Sequence, residues 1–185
     1  MKERELALAI IFLIGVLISG CVQQAPIDPN AEVPSGDPAF PSQKEYGIHD
    51  PNSILSGQTI GRANDILERL NDDGIAQVAV LIQYNVHHPE DYATHYGRYI
   101  ELGQIGKDNG LVYLIRPDVD PKVGRITVSI GRGLPKFTAI DAHQIIEEAA
   151  MDYINMDDYN NGVLSLVKNT DGRLREIYSG GKNGG

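Results

Sequence analysis

Two apolar runs constrain this chain more than anything else in it. Val78-Ala79-Val80-Leu81-Ile82 and Leu111-Val112-Tyr113-Leu114-Ile115 each have the length of a strand and no polar alternation. Such runs fit strands buried on both faces, in a sheet covered by helices. Between them, Pro89-Glu90-Asp91 is a helix start, with proline and acids in the first turn. The helical pattern continues to about Leu102 through Tyr92, Tyr96, Tyr99 and Ile100. Strand, helix, strand is a βαβ unit, so the two strands should be parallel with a right-handed crossover.

The remaining elements complete the layers. A third strand, Arg125 to Ile130, follows after only the short stretch Arg116 to Gly124. A parallel crossover needs about a dozen residues, so this strand should be antiparallel to the second. Upstream, a helix is expected through Ile60, Ile66, Leu67 and Leu70, capped by Ser56 and stopped by Gly74. Downstream, one helix is expected from about Ala139 to Tyr153, with Ile140, Ile145, Ile146 and Ala149 on one face. Another starts near Asp158 and carries Val163, Leu164, Leu166 and Val167. The fold class is α/β: a three-layer αβα sandwich with a mixed sheet of about four strands, parallel at its start and flanked by helices.

The N-terminus carries a different signal. Leu6 to Ile18 is apolar apart from Gly15 and too short to cross a bilayer comfortably, since a spanning helix needs about 20 residues. It fits the core of a secretory signal. Ile18-Ser19-Gly20-Cys21 resembles a lipobox, in which the cysteine is lipidated and becomes the first mature residue. Cys21 is the only cysteine, so no internal disulfide can form. The expected organisation is a signal peptide over 1–20, a lipid-anchored Pro-rich flexible linker over 21–45, a domain over 46–172, and a polar Gly-rich tail over 173–185. The domain would then lie on the extracytoplasmic side of the cell membrane, anchored through lipid on Cys21. An uncleaved N-terminal anchor would leave it there as well.

Charge narrows the partners. The chain carries a formal net charge of −9 and no Lys/Arg cluster. Phosphate contacts need such a cluster, so no nucleic-acid partner is expected. A tethered acidic domain favours a membrane-protein partner instead.

A resemblance sharpens the fold. The segments Ile48-His49-Asp50, Ile54-Leu55-Ser56, Ala76 to Val80, Asp91-Tyr92-Ala93, Ile105 to Leu111, Ile130 to Leu134, Asp141, Asp158-Tyr159 and Gly162-Val163-Leu164 resemble, in order, the TPM domain family of exported α/β domains. Gly106-Lys107-Asp108-Asn109-Gly110 before an apolar strand is the sharpest of them. This chain departs from the family at three places. Arg132 stands where an aromatic residue is usual, Pro135 where a glutamate is common, and Gln104 where a tryptophan is frequent. The resemblance implies calcium binding and a weak phosphatase activity, which are associated with some members. It also implies accessory roles, since other members are linked to photosystem repair and to receptor modulation.

Topology suggests where chemistry would sit. The start of the second strand and the end of an antiparallel third strand share one sheet edge. Asp108 and Asn109 should therefore approach Gly131-Arg132-Gly133-Leu134, with Asp141 close by and Asp50 joining from the N-terminal side. Carboxylates and an amide oxygen suit calcium or magnesium. A metal-activated water would be the route to phosphate-ester hydrolysis. The same residues have structural readings: Asp108-Asn109-Gly110 is turn chemistry and Asp141 is a helix-start residue. His87, His88 and His95 lack zinc spacing and read as solvated. No serine has a nucleophile setting.

Overall fold

The computed structural model describes residues 31–179. Four strands form one sheet in the order β1-β2-β3-β4: β1 Gly47–His49, β2 Gln77–Ile82, β3 Gly110–Ile115 and β4 Ile126–Ile130. The first three are parallel and β4 runs antiparallel to β3, as the short connection requires. β1 has only three residues, too few to show a period, and the sequence reading does not anticipate it. The helices are α1 Gly57–Asp72, α2 Pro89–Tyr99, α3 Ala139–Ile145, α4 Met151–Asn155 and α5 Tyr159–Ser179.

The sheet separates two cores. On one face Val78, Val80, Ile82, Leu111, Tyr113 and Ile115 pack against α1 and α3 to α5. On the other, Ala79, Leu81, Val112 and Leu114 pack against Tyr92, Ala93 and Tyr96 of α2. Both faces of β2 and β3 are thus dry, which is why their sequences show no alternation.

Local signals set the ends of α1. Ser56 caps it, its hydroxyl accepting from Thr59 N–H at 3.1 Å. At the other end Gly74 takes φ +71°, Gly74 N–H donates to Asn71 C=O and Ile75 N–H to Leu70 C=O. That is a Schellman stop, which needs a residue free of Cβ strain.

The helix expected from Ala139 to Tyr153 is interrupted. A π-helical turn, Ile146–Ala150, joins α3 to α4. The wider turn advances the buried face, so Ala150, Met151 and Ile154 are buried after Ile145 and Ile146. Ile140, expected on that face, is 78 % exposed. Ile140 precedes the π-turn and lies about 200° around α3 from the buried Ala142, so the ordinary helical period already turns it outward.

The boundary expected at residue 172 falls inside α5, and the stretch upstream of the one expected at residue 45 is partly packed. Within the stretch read as a flexible linker, Val33 and Phe40 pack on the α2 core. Phe40 meets the rings of Tyr92, Tyr96 and Tyr99 at 4.9, 5.4 and 5.2 Å. The Asp37 carboxylate accepts from His87 N–H at 2.6 Å and from His88 N–H at 3.3 Å. His88, the N-cap of α2, makes no side-chain cap of its own, so a residue some fifty positions upstream supplies the anion at this helix start. At the other end, α5 continues to Ser179 with Leu174 fully buried. Residues 1–30, including the apolar run and Cys21, lie outside the described residues, as do 180–185. Among the described residues no helix is long and apolar enough to cross a membrane.

Candidate functional site

The loops at the start of β3 and the end of β4 do meet. Gly131 N–H donates to Gly110 C=O and Gly133 N–H to Asp108 C=O, each at 2.8 Å, extending the β3–β4 ladder past its strands. The approach is so close that only glycine fits. A Cβ on Gly131 would lie 2.3 Å from the Asp108 carbonyl oxygen, and one on Gly133 would lie 1.8 Å from that of Lys107. The Gly-Arg-Gly motif is therefore explained by backbone packing against Lys107-Asp108-Asn109-Gly110. Asp108 itself takes φ +52°, a conformation that aspartate tolerates better than most residues.

This ladder lines two open grooves. One, of about 600 Å³, is bordered by Lys107, Asn109, Gly133, Asp73, Arg175 and Tyr178. The other, of about 400 Å³, runs along Arg98, Glu101, Asp108, Ser129, Gly131 and Arg132.

The expected cation ligands do not converge. Asp108 pairs with Arg132 at 3.1 Å, both side chains facing solvent. Such a pair contributes at most about 1 kcal/mol. Asn109 is buried, and its amide is used up: the oxygen accepts from Gln104 N–H at 2.8 Å and the nitrogen donates to Ile75 C=O at 2.9 Å. Asp141 lies at the start of α3, in a capping box with Thr138. One of its oxygens accepts from the Thr138 backbone and hydroxyl, both at 2.7 Å. The other accepts from Arg173 Nε at 2.9 Å and from its second guanidinium nitrogen at 2.7 Å. Those Thr138 bonds, with Arg173 behind them, hold the carboxyl down at about 2.

Asp50 sits elsewhere. It follows the last residue of β1, whereas Asp108 precedes the first residue of β3. Because these strands are parallel, the two acids occupy opposite edges of the sheet. Asp50 Oδ2 accepts from Leu55 N–H at 2.7 Å, and Oδ1 is buried without a partner. Among the described residues no group of three or more His, Cys, Asp or Glu is placed to hold a metal ion. Asp50, Asp108, Asn109 and Asp141 as they stand do not fit calcium or magnesium, which need several free oxygens at one point.

Gln104 has a role that sequence reasoning missed. Its amide donates to Asn71 C=O at 2.7 Å and accepts from Lys107 Nζ at 2.7 Å and from Asn109 at 3.3 Å. Gln77 joins through Asn71 at 3.0 Å and through Gly103 N–H at 2.9 Å. A cross-linked set of amides thus holds the 103–110 loop, where a large ring could have filled the space.

Comparison with known proteins agrees with this architecture. A family model described as TPM domain matches residues 48–173. The chain belongs to the TPM domain family. The solution NMR structure of the N-terminal domain of a P. gingivalis protein is similar at 20 % identity with a TM-score of 0.57, covering 71 % of this chain and 85 % of that one. The N-terminal domain of the cg2496 protein of Corynebacterium glutamicum is similar at 14 % identity and a TM-score of 0.51, covering 78 % and 88 %. The BA42 protein of Bizionia argentinensis is similar at 11 % identity and 0.52, covering 69 % and 86 %. At these identities the likeness concerns the fold. No curated protein matches the chain. In this chain the backbone bonds of Gly131 and Gly133 close the loop junction and the Gln104 amide braces it, while Arg132 stays exposed beside it.

Proposed function

We propose that this chain is an extracytoplasmic TPM module, held at the cell membrane by lipid on Cys21, that serves as an accessory in assembly, maintenance or repair of membrane-protein complexes. The observation that supports a binding role over a hydrolytic one is the state of Asp141. Both of its oxygens are saturated by Thr138 and Arg173, so a cation would have to displace a capping box and a guanidinium to use it. The docked segment supports close tethering. With residue 33 already packed on α2, only residues 22–32 separate Cys21 from the folded body. The chain from Cys21 to Val33 reaches at most about 43 Å.

A second reading keeps one observation. Arg98 and Arg132 border the same groove as the solvent-facing Asp108, and paired guanidinium groups suit a phosphate ester. The experiment that separates the readings is turnover of a generic phosphomonoester by the full chain, with and without millimolar calcium or magnesium. The accessory reading expects no turnover above background and unchanged amide signals at Asp108, Asn109 and Asp141. Metal-dependent turnover abolished by Asp108→Asn would establish the phosphatase instead. The anchor is tested separately: Cys21→Ser should abolish lipid labelling and release or leave unprocessed protein. Membrane attachment with no lipid on the wild type would remove the lipoprotein reading.

A further inference from the structure

The two edges of the sheet are not equivalent. At β1 the edge is three residues long, and Ile48 N–H is already taken by Asn64 Oδ1 at 2.9 Å. At β4 the edge is five residues long: Ile126-Thr127-Val128-Ser129-Ile130. Its ladder to β3 is bounded by Arg116 N–H to Arg125 C=O and by Gly131 N–H to Gly110 C=O, both at 2.8 Å. Antiparallel alternation then turns the backbone of residues 125, 127, 129 and 131 inward, toward β3. The N–H and C=O groups of Ile126, Val128 and Ile130 point away from the sheet. Among the described residues nothing bonds to them.

Free edges are normally blunted by lysine, proline, an inward charge or a bulge. β4 has none of these. All five of its residues are Ile, Val, Thr or Ser. The strand is also nearly the same read in either direction. A two-fold axis through Val128 would place Ile126 opposite Ile130 of a second copy, Thr127 opposite Ser129, and Val128 opposite itself. In that register the outward groups of residues 126, 128 and 130 are the ones that meet. Three residue pairs exchanging two bonds each satisfy all of them. The flanking charges also fit: Arg125 falls opposite Gly131 and Arg132 opposite Gly124, so no like charges face each other across the join. A self-complementary strip of this kind is what a two-fold interface requires.

We propose that the chain self-associates through β4, pairing antiparallel about Val128 to give a continuous eight-stranded sheet. The occupant assigned to the edge is a second copy because the strip complements itself in charge, side-chain type and hydrogen-bond phase. A foreign strand has no such argument here.

The register makes the test specific. Residues 127 and 129 of the two copies would face each other as a non-hydrogen-bonded pair, with Cα atoms about 4.5 Å apart, within disulfide range. The full chain is used in detergent, with Cys21→Ser so that both introduced thiols lie on β4. Mild oxidation of Thr127→Cys/Ser129→Cys should give a disulfide-linked dimer, while Thr127→Cys alone should not. Adding Val128→Pro removes an N–H that faces solvent in a single copy, a position where edge strands accept proline. It should abolish the cross-link while the thermal transition of the single copy persists. In sedimentation without introduced cysteines, the Cys21→Ser chain should show twice the 20.2 kDa mass and its Val128→Pro form the single mass. A single mass for the folded parent at about 100 μM, or equal association of a folded Val128→Pro chain, would overturn the proposal.

Discussion

Lowering the pH should loosen this domain through one histidine. His49 ends β1 on the α2 face, 1 % exposed, with Nδ1 bonded to the Tyr96 hydroxyl and its ring edge-on to Tyr96 at 5.5 Å. Phe40 also lies against that tyrosine. Burial pulls the imidazole down from 6.5 to about 4, and its Nε2 is buried without a hydrogen-bond partner. The folded state therefore binds this proton less readily than the unfolded chain. The contribution is fully present above about pH 6.5 and is lost as pH falls toward 4. At about 1.4 kcal/mol per pK unit, the loss by pH 4.5 comes to about 2–3 kcal/mol. For a domain of this size that is roughly 10 °C in Tm. The assay is thermal unfolding of the full chain at pH 7 and pH 4.5, beside His49→Asn. The variant should be much flatter across this window, and groups common to both proteins cancel in the difference. A variant with the same pH slope as wild type would refute the reasoning, as would a wild type indifferent to this interval.

Three further outcomes follow from the contacts described. Asp141→Ala should cost about 1–2 kcal/mol through the lost cap and guanidinium pair; wild-type stability carried by this depressed carboxyl should be present above about 3.8 and fall as pH drops through about 2, a slope the variant should lack in acid denaturation. Gly133→Ala should destabilise by at least about 2 kcal/mol in urea titration, because the Cβ would overlap the Lys107 carbonyl and both strands must part to admit it. Phe40→Ala should free residues 31–45, seen as faster amide exchange there and at Tyr92 to Tyr99, at a cost of about 1–3 kcal/mol for a half-buried ring; unchanged exchange would show that Asp37 alone holds the segment.

The elements were legible where burial or backbone chemistry is written locally. Val78 to Ile82 and Leu111 to Ile115 announce strands because both faces are covered. Pro89 and Ser56 announce helix starts because orphan N–H groups need particular residue types there. The antiparallel turn into β4 followed from connection length alone. Tertiary neighbours decided the docking of residues 33–40, which composition presents as a spacer: Phe40 is one aromatic residue among prolines until the three tyrosines of α2 are placed beside it. The π-helical turn after Ile145 is likewise invisible to a fixed period.

The candidate site shows the same division. The sequence by itself determined that Asp108 and Asn109 meet Gly131 and Gly133, because strand direction fixes which loops share an edge. It could not determine what their side chains do there. Asp108 and Asp141 face arginines from residues 132 and 173, and Asn109 faces a glutamine. A carboxylate reads alike in sequence whether it is free to bind a cation or already neutralised. The difference lies in which donors the fold brings within 3 Å, and those donors lie up to 32 residues away along the chain.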